Sequence, residues 1–462
     1  MKLTSAAYDR TLLGRIDHDV LGLPAARIVL LVLLAAILLT PCIQAAVQIR
    51  QTDRSAFRET GERRKTALGR WLPTVQMVAA TRGQGDPYGY GHWFPTPPMV
   101  LLSLIPLSKL GYAAAGLVWA LLKAAGFVLV MVLLIRELGR DGEAIPVGVL
   151  LMAGIYSLRP VFSDLQHANL NIFVLVWLGL AWWLYVRGQD FGAGLFVALA
   201  VVTKVTPGLA LAYFLYKRAW RVAAGAAVGL VLFVLVAPGL YFGFERNLVL
   251  LREWFDMLAA PFVLHGYATL EIENQSLYGV LLRVLSNGGL LAIDHMPTMQ
   301  ALNAGMESMA RPATAAGQLL KPALSVGFLA ALAWLCRTKA ASRRDPRLLL
   351  EFGLVLLAML LMGERTWKHH ATTLPLVYLG VWWVLTCHPW SDRFRAWCVA
   401  GLVVQIVLLL GTSEGLLGDR LGNLALDGGV FCWGLVLCFV QTAVLLRAAD
   451  RPRSGPAAAA AA

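Results

Sequence analysis

The chain has 462 residues, of which 58% are hydrophobic and only 15% charged. Soluble domains carry about 25% charge, so this composition excludes an ordinary soluble enzyme. The net charge of +13 does not point to nucleic acid either, because most Lys and Arg sit in short loops between apolar runs, the pattern that orients membrane helices.

A charged start leads into an apolar run at 25–47, too long for the core of a cleaved signal, and Pro41-Cys42-Ile43-Gln44 makes a poor cleavage site. The run is read as a retained first helix with residues 1–24 in the cytoplasm. Further full spans are expected at 112–136, 144–158, 168–187, 219–241, 316–336, 348–363, 371–387, 395–411 and 428–447. Three apolar segments are interrupted: 97–108 by Pro106, 192–216 by Lys204 and Pro207, and 276–291. Partial helices are tolerated at membrane depth where they line protein or water. Residues 448–462 form a basic, low-complexity, disordered tail. The expectation is an all-α polytopic membrane protein, a single membrane domain over 25–447, with about 10–13 transmembrane or partial helices. The six cysteines show no metal-like spacing, so neither disulfides nor a metal site is expected.

Loop charge sets the orientation. Arg136/Arg140, Arg187, Lys217/Arg218/Arg221, Arg337–Arg347, Arg393/Arg395 and the tail fall on one side, which is assigned to the cytoplasm. The loops 48–96 and 242–275 and the stretch "GERTWKHH" (363–370) fall on the other. Arg63, Arg64 and Lys65 make loop 48–96 an exception to the charge rule.

The unusual residues collect on this outer face. Asp53 follows the first helix and reads either as a cap or partner for Arg54 or Arg58, or as a general base. "DPYGYGHWFPTPP" (86–98) contains Tyr88 and His92, and its rings, with Trp71, are equally an interfacial aromatic belt. "QHANLN" (166–171) supplies Gln166 and Asn169, and "NQS" supplies Asn274 and Gln275. Lys204 lies in an apolar run, where a snorkelling lysine is costly and an anion partner is the better explanation. Arg365, Lys368, His369 and His370 suit a phosphate, the arginine as a two-pronged donor, or else form a solvated loop. A base, an anion pocket against the membrane and aromatic surfaces together fit a lipid-phosphate sugar.

These motifs resemble those of the bacterial glycosyltransferase family 87, within the GT-C superfamily. The resemblance rests on the Asp after helix one, "RWLPTVQ" (70–76), "DPY", "FPTPP", "QHANLN", "KVTP" (204–207), "NQSLYGVLLR" (274–283) and "ERTWKHH". It implies a GT-C-like bundle in the bacterial cytoplasmic membrane with its active site facing outward. It also implies inverting transfer of a hexose, often mannose, from a polyprenyl-phosphate sugar to an outer glycan or glycolipid, without a metal. The family's base corresponds to Asp53, and a histidine near the donor phosphate corresponds to His369 or His370. The stretch between Asp53 and Asp86 is longer than the common family pattern, so sugar and acceptor are not carried over. The other classes weighed are a lipid-linked saccharide flippase and a lipid-linked-glycan ligase. A flippase requires polar groups spread across both membrane halves, often with internal repeats; no repeat is evident here.

Overall fold

The computed structural model describes residues 14–15, 24–55, 66–81, 83–89, 94–139, 145–295, 309–340, 342–411 and 414–450. Helix α1 covers Pro24–Ser55, and α2, Ala67–Ala80, lies inside what the sequence presents as the first outer loop. Asp53, expected just past the first helix, therefore lies in the last turn of α1. Helix α2 buries one face, Leu68, Trp71, Leu72, Val75 and Val78 at helical spacing, and is capped at its start by the Thr66 hydroxyl accepting from the Gly69 amide.

Then follow α3 Pro98–Ser108, α4 Tyr112–Leu138, α5 Val147–His167 and α6 Asn171–Val186. Helix α5 runs nine residues past the expected end at 158, straight through Arg159 and Pro160. Arg159 is tolerated there because its guanidinium donates to the carbonyls of Leu409 and Leu410, at 2.9 and 3.3 Å. Helices α7 Asp190–Thr203 and α8 Gly208–Tyr216 come next. At 1.5 Å per residue, 14 and 9 residues reach only ~21 and ~14 Å, short of a ~30 Å core. Both ends are tied to the same side of the bundle: Asp190 pairs with Arg343, and Lys217, just after α8, pairs with Glu351. The segment is thus a re-entrant hairpin with Lys204–Pro207 at its tip.

Helix α9 spans Trp220–Phe242 with a π-helical stretch at Val231–Val236, and α10, Phe244–Trp254, is amphipathic. A small antiparallel sheet of order β1-β3-β2 (β1 Ala268–Thr269, β2 Ile293–His295, β3 Met309–Pro312) surrounds α11, Leu277–Asn287. Its register pairs Ala268 with Ala310 and Asp294 with Arg311. The chain closes with α12 Ala315–Leu335, α13 Pro346–Leu361, a 3₁₀ turn Lys368–Thr373, α14 Leu374–Cys387, α15 Asp392–Leu410, α16 Glu414–Asp427 and α17 Val430–Ala449.

Among the described residues, seven helices are long and apolar enough to cross a membrane. The protein is an all-α polytopic membrane protein. Helix α14 is apolar on all sides with every residue of Leu374–Cys387 buried, and α13 is apolar apart from Arg347 and Glu351, as expected for helices at the centre of a bundle. They share the main core with α5, α6 and α17. A second apolar cluster joins α2 and α3 to α4. Trp71, Tyr88 and Phe94 belong to it, with ring centroids 6.1 and 6.4 Å apart. These rings are core, not an interfacial belt.

Candidate active site

The site is built at one end of the bundle from a helix end, a helix start, the hairpin tip and the "ERTWKHH" loop. Helix α5 stops where Ala168 takes a left-handed conformation (φ 51°, ψ 38°), and the chain reverses into α6. That reversal returns Asn171 over Asp164: Asn171 Nδ2 donates to Asp164 Oδ1 at 2.8 Å, and the Ile172 amide donates to Oδ2 at 3.3 Å. Asp164 thereby satisfies amides at the start of α6, where the helix dipole favours negative charge. The carboxylate is fully buried and meets Lys123 of α4 at 2.7 Å.

Lys204, at the hairpin tip, donates to Asn171 Oδ1 at 2.9 Å. Among the described residues no carboxylate lies within ion-pair distance of it. The ammonium faces a narrow cleft lined by Asn171, Lys204, Thr206, Arg365, Thr366 and His370. The Arg365 guanidinium pairs with Glu271 and lies 5.6 Å from the Trp367 ring, whose Nε1 donates to the same carboxylate at 2.9 Å. Arg365 Nη2 is buried with no hydrogen-bond partner among the described residues. Glu364 pairs with Lys321 of α12, and burial pushes its carboxyl above the ordinary range against the pull of Lys321 and Arg365. Although adjacent in sequence, Glu364 and Arg365 do not pair; the loop turns the two side chains to different elements.

His370 Nδ1 lies 2.9 Å from the Arg365 carbonyl and 3.2 Å from the Trp367 amide nitrogen, which ties the loop to the 3₁₀ turn. His369 is buried, with Nε2 3.2 Å from Asn169 Nδ2 and its ring stacked on His167 at 4.8 Å. His167 Nδ1 donates to the Ser163 carbonyl at 2.7 Å. Thr372 Oγ1 donates to the Asn171 carbonyl at 2.8 Å, joining this turn to α6.

Asn274 and Gln275 lie behind the loop at zero exposure. Asn274 Nδ2 donates to the carbonyls of Thr269 and Glu364, and its Oδ1 accepts from the Thr366 amide at 3.0 Å. Gln275 Nε2 donates to the carbonyls of Ile272 and Leu426, while its amide donates to the Thr366 carbonyl. With their polar atoms engaged in this way, both residues hold the loop in place.

The residues expected from sequence thus divide. Lys204, Arg365 and His370 line one cleft, and His369 and Asn169 adjoin it. Lys368 opens the 3₁₀ turn half-buried, and Gln166 is half-buried on the last turn of α5. Tyr88 is in the second core, its hydroxyl donating to the Thr96 carbonyl at 2.8 Å, and burial pushes its phenol well above the ordinary range. His92 and the side chain of Asp53 lie outside the described residues. Lys123, Asp164, Asn171, Glu271 and His167 were not singled out. A lysine amid "GLVWALLKAAGFVLV" was a legible signal for the first of them.

The family model for Glycosyltransferase family 87 matches residues 94–363, more than half of the chain. None of the curated proteins and none of the solved structures compared matches it. The matched segment contains the hairpin, the α5–α6 reversal and Arg365's partner Glu271, and ends at the head of the "ERTWKHH" loop. The chain belongs to glycosyltransferase family 87 and is a membrane glycosyltransferase.

Proposed function

We propose that this family 87 enzyme transfers a hexose, mannose being the first candidate, from a polyprenyl-phosphate sugar to a glycan or glycolipid at the outer face of the bacterial cytoplasmic membrane. The observation that carries the reading is Lys204. A cation at the tip of a re-entrant hairpin, held by a neutral amide and beside a guanidinium nitrogen without a hydrogen-bond partner among the described residues, is arranged for an anion. A phosphate on a lipid is an anion that enters such a cleft from the side of the bilayer.

As the glycosyl–oxygen bond breaks, negative charge grows on the departing phosphate. Preplaced cations then stabilise the transition state more than the bound donor, which is what raises turnover. Lys204 supplies a point charge, and Arg365 a planar pair of donors. Lys368, His369 and His370 contribute to the same anion pocket, without a metal. Asp53 takes the proton from the acceptor hydroxyl, which attacks the anomeric carbon opposite the phosphate, so the configuration inverts. His92, Gln166 and Asn169 complete the binding of sugar and acceptor, Asn274 and Gln275 support it by holding the loop, and Tyr88, buried in the second core, supports the segment around Thr96 without touching a ligand. The excess of Lys and Arg at the opposite end, around Lys217, Arg343 and Arg347, supports placing that end in the cytoplasm and the cleft outward.

The test is turnover of labelled polyprenyl-phosphate mannose by the purified enzyme in lipid. Release of polyprenyl phosphate with a labelled acceptor is expected. Transfer from a nucleotide sugar in the absence of any lipid donor overturns the reading.

A further inference from the structure

Two charges sit at zero exposure inside the apolar bundle, and the reaction as read above uses neither. Lys123 on α4 meets Asp164 on α5 at 2.7 Å, and its Nζ also donates to the Asp164 carbonyl at 2.6 Å. Burying such a pair costs so much hydration that apolar residues of similar size are often equally stable. Stability alone is therefore a weak reason for its presence.

The rest of the carboxylate's accepting capacity goes to the start of α6, to Asn171 Nδ2 and the Ile172 amide. An asparagine amide has a donor end and an acceptor end, and a carboxylate takes only the donor end. With Nδ2 held by Asp164, Oδ1 is turned outward, where Lys204 Nζ donates to it. The sequence ammonium, carboxylate, amide NH₂, amide carbonyl, ammonium is complementary at every junction. A flipped Asn171 would set its NH₂ against the Lys204 ammonium and its carbonyl against the carboxylate.

We infer that Lys123 and Asp164 are positioning residues that act through Asn171 to hold the Lys204 ammonium in the cleft without neutralising it. A carboxylate directly against Lys204 would repel a phosphate; one amide further away, it fixes the geometry and leaves the charge for the ligand. The part that concerns donor binding rests on the reading of the cleft as the donor-phosphate site.

The experiment uses the full-length protein in lipid nanodiscs and three variants: Lys123→Met with Asp164→Leu, Asn171→Leu, and all three changes together. Without substrate, reductive methylation of Lys204 is followed by mass spectrometry against the exposed Lys109 as internal reference. Losing a hydrogen bond to a charged group is worth about a tenfold change, so Lys204 reactivity is expected to rise about tenfold in the first two variants. The triple variant should match either one, because nothing remains for the pair to act through once Asn171 is gone. With substrate, the KM for polyprenyl-phosphate sugar should follow the same pattern while the melting temperature of the apolar pair stays near wild type. Unchanged Lys204 reactivity in a folded pair variant, or effects that add to about 100-fold in the triple, overturns the inference. If the pair variant does not fold, Asp164→Asn completes the same cycle with Asn171→Leu. Lys204 reactivity that follows the expected pattern in an enzyme that ignores polyprenyl-phosphate sugars supports the positioning chain and removes the donor reading.

Discussion

At the cytoplasm-assigned end of the bundle, Glu351 meets Lys217 at 2.8 Å and the Tyr213 hydroxyl at 3.0 Å, and Lys217 also donates to the carbonyls of Cys336 and Thr338. Arg347 bridges Asp345 and Asp450, and Arg343 grips Asp190. These pairs close on themselves and join helix ends. At the opposite end Asp164, Glu271 and Glu364 are matched to Lys123, Arg365 and Lys321, and Lys204 is left over. Similar residue types thus do two jobs among the described residues: ion pairs staple helix ends together, and Lys204, held by an amide and not by a carboxylate, makes a place for an anion.

The largest effect should come from what the cleft lacks. Among the described residues no carboxylate lines it, and the base assigned to the reaction is Asp53. Asp53→Asn is expected to lower turnover by ~10²–10⁴-fold, the loss typical of a general base, with membrane insertion unchanged. Near-normal turnover of a well-expressed variant would take the base role away from Asp53.

Next come the cations themselves. Lys204→Met and Arg365→Ala should each lower turnover by ~10²–10³-fold, the scale of removing one preorganised donor from a developing charge. Arg365→Lys should recover only part of it, since a lysine keeps the charge but not the planar pair of donors. Binding of polyprenyl phosphate, measured beside turnover, separates these outcomes from a collapsed loop. Wild-type donor affinity and turnover in all three variants would make the cluster a solvated loop and erase the difference between the two ends.

How much of this was legible in the sequence depends on range. Spans, the broken segment at Lys204 and the "ERTWKHH" cluster follow from hydropathy and proline, which are local signals. The pairing of Arg365 with Glu271 rather than Glu364, and of Lys123 with Asp164, joins residues far apart in the chain. No local pattern encodes such partners; they follow from which helices lie side by side. Helix α2 was hidden for another reason: at 14 residues with a single apolar face it resembles a loop in any window sized for a membrane span. The aromatics of "DPYGYGHWFPTPP" are ambiguous in sequence because interfacial and core rings have the same composition.

The paired end offers the converse measurement. Glu351→Gln replaces the carboxylate facing Lys217 with a neutral amide oxygen and should destabilise the protein by ~2 kcal/mol, the scale of losing a charged partner in a buried hydrogen bond. Turnover per folded molecule should not change. A Glu351→Gln enzyme that stays stable but loses turnover would show that the two ends are coupled, not specialised.

The smallest expected effect lies on the border between support and cleft. Thr372 is fully buried, and its hydroxyl donates to the backbone carbonyl of Asn171, not to the amide that holds Lys204. Thr372→Val keeps the shape and removes that bond, at a cost of ~1 kcal/mol, typical of a neutral hydrogen bond. The 3₁₀ turn would lose one anchor to α6 while His370 keeps its contact with the Arg365 carbonyl. Thermal unfolding should therefore shift to slightly lower temperature, and turnover should fall by less than about tenfold, since ~1 kcal/mol lies below the 1.36 kcal/mol that a tenfold change requires. A loss as large as that of Lys204→Met would mean that the backbone of α6, and not only the Asn171 side chain, sets the position of the cation, and the border would have to be drawn further into the bundle.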